Sequence, residues 1–195
     1  MRVCHLISTI DDMAGKEKKI SFMYSVRFGI SLILALALAS SLTSAAKKKV
    51  TIYASPDRKL GAEIMSVDFK GNGNESSVVI RRPDRKVVVA KNFLSKDHEH
   101  GLGVMKAAWT YDSRFFIFST TASGGQLSGR FPTFIYVRAK NAILPLDPLV
   151  GMWITRPDFD LQAPNLLFVT VHDTLNGGLP VDTIYKRIHL DELFK

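Results

Sequence analysis

Cysteine is almost missing from this sequence: among 195 residues there is one, Cys4. No intramolecular disulfide can form, and no thiolate metal site or thiol nucleophile lies beyond residue 4. Acidic residues are also few, with 18 Asp and Glu against 26 Lys and Arg, a net charge of +8. Only one long apolar run occurs, Leu32–Ala39, and it is far short of the roughly 20 apolar residues a membrane-spanning helix needs. The signatures of common catalytic sites are missing as well. There is no Gly-x-Ser-x-Gly elbow, no Gly-rich phosphate loop and no His-Glu-x-x-His. No low-complexity segment divides the chain.

What is present begins with Met23–Ala46, where Arg27 precedes the apolar run and Ser44-Ala45-Ala46 follows it, directly before Lys47-Lys48-Lys49. Basic, then apolar, then small is the order of a secretory signal peptide. The expectation is cleavage near Ala46 and a working protein of residues 47–195, periplasmic or secreted. Residues 1–22 carry Asp11, Asp12 and Glu17, which are foreign to such a leader. Met23 with Arg27 already makes a complete start, so 1–22 reads as an extension ahead of the true first residue. Beyond Ala46 the chain keeps 21 of its basic and 15 of its acidic residues, a net charge of 21 − 15 = +6. That balance gives weak attraction to acidic surfaces. Export argues against nucleic acid as a partner. No stable membrane span remains once the leader is gone, and no cysteine follows the leader to take a lipid.

The remainder reads as strands. Val50–Tyr53, Ser77–Arg81, Lys86–Ala90, Val104–Trp109, Arg114–Thr120, Thr133–Arg138, Ala142–Leu146, Gly151–Thr155, Asn165–Val171 and Val181–Ile188 are short runs rich in β-branched and aromatic residues. Turn residues separate them. In Arg82-Pro83-Asp84-Arg85 the proline presets φ and the aspartate bonds its own backbone, which makes a hairpin. Only Leu190–Phe194 suits a helical turn. The fold class is therefore all-β, an antiparallel meander of hairpins, arranged as a partial propeller or as a small sandwich.

Residues 109–146 carry a more specific pattern. A strand ends in Trp109, a turn holds Asp112-Ser113-Arg114, and the strand Phe115–Phe118 follows. After a Gly-Gly loop come Phe134-Ile135-Tyr136-Val137 and a last strand around Ile143-Leu144. This resembles one blade of the TolB-like and WD-repeat-like β-propellers. Tyr111 stands for the usual proline, Ser113 for the glycine and Ala139 for the final aspartate. Weaker echoes flank it, one from Ser55-Pro56-Asp57-Arg58 and one from Thr155-Arg156-Pro157-Asp158, at a period of about 45–55 residues. The resemblance implies three blade-like units, fewer than the roughly 4–8 of a closed ring. Such a chain pairs with itself as a homo-oligomer, leaves edges open, or folds as a sandwich.

Candidate chemistry is sparse. His98 and His100 flank Glu99, and two histidines at this spacing can share a divalent metal if a third ligand such as His172 joins them. That is the basis of an alternative reading, a small metal-dependent hydrolase. A solvated polar loop, with Gly101 and Gly103 adding mobility, explains the same residues. The basic hairpin Arg81–Lys86 reads as a solvated tip that discourages edge pairing. The aromatics between Trp109 and Tyr136 read as core, about half of them inward by strand alternation. The loop from Thr120 to Pro132 is the best contact surface, with Gly124, Gly125, Gln126, Arg130 and Phe131 as its ligand-binding candidates. No catalytic residue and no cofactor are expected. The leading expectation is a non-catalytic binding or scaffolding protein of the cell envelope, its partner an envelope protein or polysaccharide.

Overall fold

The chain reverses at nearly every Pro, Asp or Gly cluster, and each strand pairs with its neighbour in sequence. The computed structural model describes residues 47–68, 74–124, 129–172 and 183–195, all within one compact unit, Ala46–Lys195. The leader assigned to residues 23–46 and the extension at 1–22 lie outside the described residues. Among the described residues, no helix is long and apolar enough to cross a membrane.

The first sheet is β1 (Lys47–Ala54), β2 (Gly61–Asp68), β3 (Asn74–Arg81) and β4 (Val87–Asn92), side by side in that order. The second is β5 (Leu102–Trp109), β6 (Phe115–Ala122), β7 (Thr133–Val137) and β8 (Ala142–Pro145). The third is β9 (Trp153–Gln162), β10 (Leu166–His172) and β11 (Thr183–His189). All pairings are antiparallel. A helical turn, α1 (Asp147–Val150), joins the second sheet to the third, and a 3-10 turn at Leu190–Phe194 ends the chain. The protein is all-β, as its sequence indicates.

The sheets stack as layers. Ala62, Ile64, Val78 and Ile80 of the first sheet pack on Trp109, Phe116, Phe118, Phe134 and Tyr136 of the second. The other face of the second sheet, with Phe115, Ile117, Ile135 and Val137, packs on Ile154, Phe159, Leu167, Val169, Val171 and Ile188 of the third. The second sheet is thus covered on both sides, and every residue from Phe115 to Thr120 and from Thr133 to Val137 is buried. Alternation alone sends half of the aromatics inward; here both halves are inward, because two partners cover the two faces.

The first two units repeat with a fixed offset. Ala54, Gly61 and Arg81 are register partners across the first sheet, and Trp109, Phe116 and Tyr136 are partners across the second (109 − 54 = 55, 136 − 81 = 55). Their first turns are alike too. Ser55 Oγ donates to Asp57 Oδ1 at 2.7 Å and to the Leu60 carbonyl, and Thr110 Oγ1 donates likewise to Asp112 Oδ1 at 2.7 Å and to the Phe115 carbonyl. Arg58 and Ser113, one after each aspartate, take positive φ of 57° and 61°. The third unit departs from this plan. Residues 155–158 lie inside β9 rather than in a turn, and the reversal before β10 is the shorter Ala163-Pro164-Asn165. Pro157 is tolerated there because β9 is an edge strand whose register with β10 shifts between Val169 and Val171. Antiparallel order places successive connections at opposite ends. The tight Asp-turns gather at one end, and the longer connections 93–101, 123–132 and 146–152 at the other.

Candidate functional site

The long-connection end is organised around one buried carboxylate. Glu75 opens β3 and has no exposed surface. Its Oε1 accepts from the Ser95 hydroxyl at 2.6 Å, the Gly101 N–H at 2.8 Å and the Ser123 hydroxyl at 3.0 Å, and its Oε2 accepts from the Ser95 N–H at 2.8 Å. Burial pushes this carboxyl upward. The donors from Ser95, Gly101 and Ser123 outweigh burial and hold it below the ordinary glutamate range. Glu75 thereby fixes both ends of the 95–101 strap and the start of the 123–132 connection.

Gly101 and Gly103 are part of this clasp. A Cβ on Gly101 would overlap the Glu75 carboxyl and the Phe93 carbonyl oxygen, and one on Gly103 would overlap the Asn74 carbonyl oxygen. These glycines serve close approach, not mobility, which corrects the expectation from sequence.

The expected ligand-binding residues lie on the connection that Glu75 anchors. Gly124 is exposed at its start. Gly125 and Gln126 lie outside the described residues. At the far end the Phe131 N–H donates to the Ile154 carbonyl at 2.9 Å, and both Thr120 N–H and Thr120 Oγ1 donate to the Pro132 carbonyl. The connection is therefore tied to the first sheet where it leaves and to the third where it returns. Arg130 sits over Trp153 of β9, with its guanidinium carbon 3.1 Å from the ring centroid. Trp153 is 45% exposed. A half-exposed indole under an arginine is a rigid amphipathic surface of the type that dominates binding interfaces. Trp153 was not among the expected site residues. Its position at the start of an edge strand is visible in sequence only once the third unit's true turn is known. Glu75 had a signal, a lone carboxylate followed by Ser76-Ser77 at the head of an apolar strand.

The histidines occupy the strap between β4 and β5, among bends and not on a strand. Asp97 Oδ2 sits 2.5 Å from His100 Nδ1, and Asp97 Oδ1 accepts from the Glu99 N–H at 3.1 Å. The Glu99 N–H first, then His100 and Ser95, hold the Asp97 carboxyl well below the usual range. His98 has a positive φ of 62°. His172 ends β10 on the third sheet. Among the described residues, no three His, Cys, Asp or Glu side chains gather to hold a metal.

At the Asp-turn end, the basic hairpin forms as its sequence dictates. The Arg85 N–H donates to the Arg82 carbonyl, and Asp84 Oδ1 accepts from the Lys86 N–H at 3.0 Å. Set against protein-family models, curated proteins and solved structures, the chain matched none of them.

Proposed function

We propose that the protein is an exported, non-catalytic binding or scaffolding module of the cell envelope, built from blade-like units, with its contact surface at the long-connection end. The exported character rests on the Met23–Ala46 pattern. The observation that carries the binding role is the Arg130–Trp153 stack, half-exposed and held on a connection tied to two different sheets. Rigid presentation lowers the ordering cost of association, and an aromatic paired with arginine supplies apolar contact and directed hydrogen bonds together. The blade-like description is supported by the 55-residue offset and the repeated Asp-turn of the first two units.

The test is comparative capture from envelope extract by the full chain and by the R130A/W153A double variant. We expect a partner retained by the parent and lost by the variant, with both showing the same far-UV β spectrum. A partner held equally by both proteins would overturn the assignment of this surface. Fractionation of the native host tests the exported character separately, and recovery of the full-length chain from the cytosol alone would overturn it.

A further inference from the structure

Toward the Asp-turn end, the outward face of the first sheet is open among the described residues, with Ile52 69% exposed, and the internal repeat shows what such a face receives. In the second unit, the equivalent face carries Trp109, Phe116, Phe118 and Tyr136 and is buried against the first sheet. At the 55-residue offset, the first unit has Ala54, Gly61, Glu63 and Arg81 at those positions. Two aromatics are replaced by small residues, and Phe118 and Tyr136 by an ion pair, since Arg81 Nε sits 2.9 Å from Glu63 Oε2. The result is a groove of about 580 Å3 where the second unit has aromatic rings. Its floor includes Ile52, Leu60 and Gly61, and Arg58, Arg82 and Arg85 stand around it. Among the described residues, none of these three arginines has a carboxylate partner, unlike Arg81 with Glu63 and Arg138 with Asp57.

The same comparison names the occupant. On the second unit, a carboxylate-bearing turn docks at this corner. The Asp57 N–H donates to Ser113 Oγ at 3.0 Å, and Asp57 Oδ2 accepts from Arg138 at 2.6 Å. The first-unit counterparts of Ser113 and Arg138 are Arg58 and Pro83, both in the wall of the groove (113 − 55 = 58, 138 − 55 = 83). The corner that receives an aspartate turn in the second unit is, in the first, open and lined by Arg58, Arg82 and Arg85.

The geometry points to a second binding site, distinct from the Arg130–Trp153 surface, in which the outward groove of the first sheet takes an acidic segment of a partner protein, its carboxylates on Arg58, Arg82 and Arg85 and an adjacent apolar side chain over Gly61. An extended segment has the required pattern when its acidic and apolar residues lie two apart, because side chains at i and i+2 line one face. Arginine forks suit carboxylates bidentately. The apolar floor favours a protein segment over a purely anionic polymer, which has nothing apolar to place on Ile52 and Leu60.

The experiment uses the full chain and a short fluorescein-labelled peptide in which Asp and Leu take turns at every second position with Ser between them, so that both line one face, read by fluorescence anisotropy. Poly-glutamate of equal length, polygalacturonate and phosphatidylglycerol vesicles serve as comparators. Two variants separate charge from shape. R58S/R82S/R85S removes the cations. G61F fills the floor with the residue the second unit has there; a Cβ at Gly61 meets only Ile52 Cγ2, at 3.9 Å, so the ring enters open space. We expect the Asp-Leu peptide to bind more tightly than poly-glutamate and to weaken about tenfold or more in each variant, the loss expected from removing several charge-assisted contacts. Full binding of the peptide by G61F overturns the proposal. So does tighter binding of poly-glutamate, polygalacturonate or the vesicles than of the peptide, which would make the groove a general polyanion surface.

Discussion

Glu75 concentrates more hydrogen bonds than any other described side chain in its region, and its position explains the cost of losing it. Removing a buried acceptor strands its donors, and stranded donors cost more than the net value of the bonds themselves. In E75A the Ser95 N–H loses its partner inside the protein, and the Gly101 N–H keeps only Ser123 Oγ, at 3.1 Å. The expected loss is about 3 kcal/mol or more of unfolding free energy, measured by urea denaturation. E75A should also raise amide exchange at Ser95 and Gly101 while leaving the Phe116 and Ile135 amides protected. Loss of protection throughout the second sheet would show that the clasp is not local. Part of this was legible in advance, since a glutamate among serines at a strand head is out of place. Its partners were not legible, because Ser95, Gly101 and Ser123 are separated from it by about 20–48 positions in the chain. The same distance explains why Gly101 and Gly103 read as mobile in sequence. Close approach by a distant backbone leaves no local mark.

The Asp-turns are the joints between layers. Asp57 belongs to the first sheet and bonds Ser113 and Arg138 of the second. Asp112 belongs to the second; its Oδ2 accepts from Asn165 Nδ2 at 3.0 Å and from Arg114 Nε at 2.7 Å. Arg114 continues to Asp191, and Asn165 Nδ2 also reaches Asp191 Oδ2 at 2.9 Å, so the C-terminal turn closes the network. The Asp112 side chain is less exposed than that of Asp57, at 18% against 31%. Solvent screens the Asp57–Arg138 pair more strongly. D112A is therefore expected to cost about 2–4 kcal/mol and D57A about half as much, both read from denaturant midpoints at constant m-value. Equal costs would mean that the two joints do not differ in the way burial implies. The two turns were readable in sequence, because Ser or Thr two residues before Asp signals the same local bonding in both. The third turn is not where its residue types suggest: Thr155-Arg156-Pro157-Asp158 has the composition of a turn, yet edge-strand pairing and a register shift absorb it into β9.

The titrating groups of the whole molecule make its stability depend on pH in a definite direction. Burial raises, but hydrogen-bond donors more than offset, the tendencies of Glu75 and Asp112. Arg138 lowers Asp57, and Arg114 lowers Asp191. All four carboxyls bind protons less readily folded than unfolded. Their stabilisation is complete above the ordinary carboxylate value of about 4 and is lost as pH falls through the lower folded values. Tyr136 runs the other way. Burial raises its hydroxyl above the ordinary value, so its share is present below about pH 10 and is lost as pH rises beyond it. Thermal melts across pH should show a plateau from about 5 to 9, falling on both sides. Y136F should remove part of the alkaline fall and leave the acid limb unchanged; an unaltered alkaline limb would show that Tyr136 does not set it. The all-β class and the meander were plain from strand spacing, because every pairing joins sequence neighbours. The layer order was not, since no residue pattern states that a sheet has two partners.

That double cover has a consequence for how the sequence can drift. In β2 and β9 of the outer sheets, buried positions are separated by half-exposed or exposed ones, so change is tolerated at about every second position or more often. In β6 and β7 there is no outward side, and no alternate position is released from packing. The middle layer is thus the part of the molecule least free to change, while outer strands such as β2 keep positions, Gly61 among them, where a side chain can be exchanged without disturbing what lies beneath.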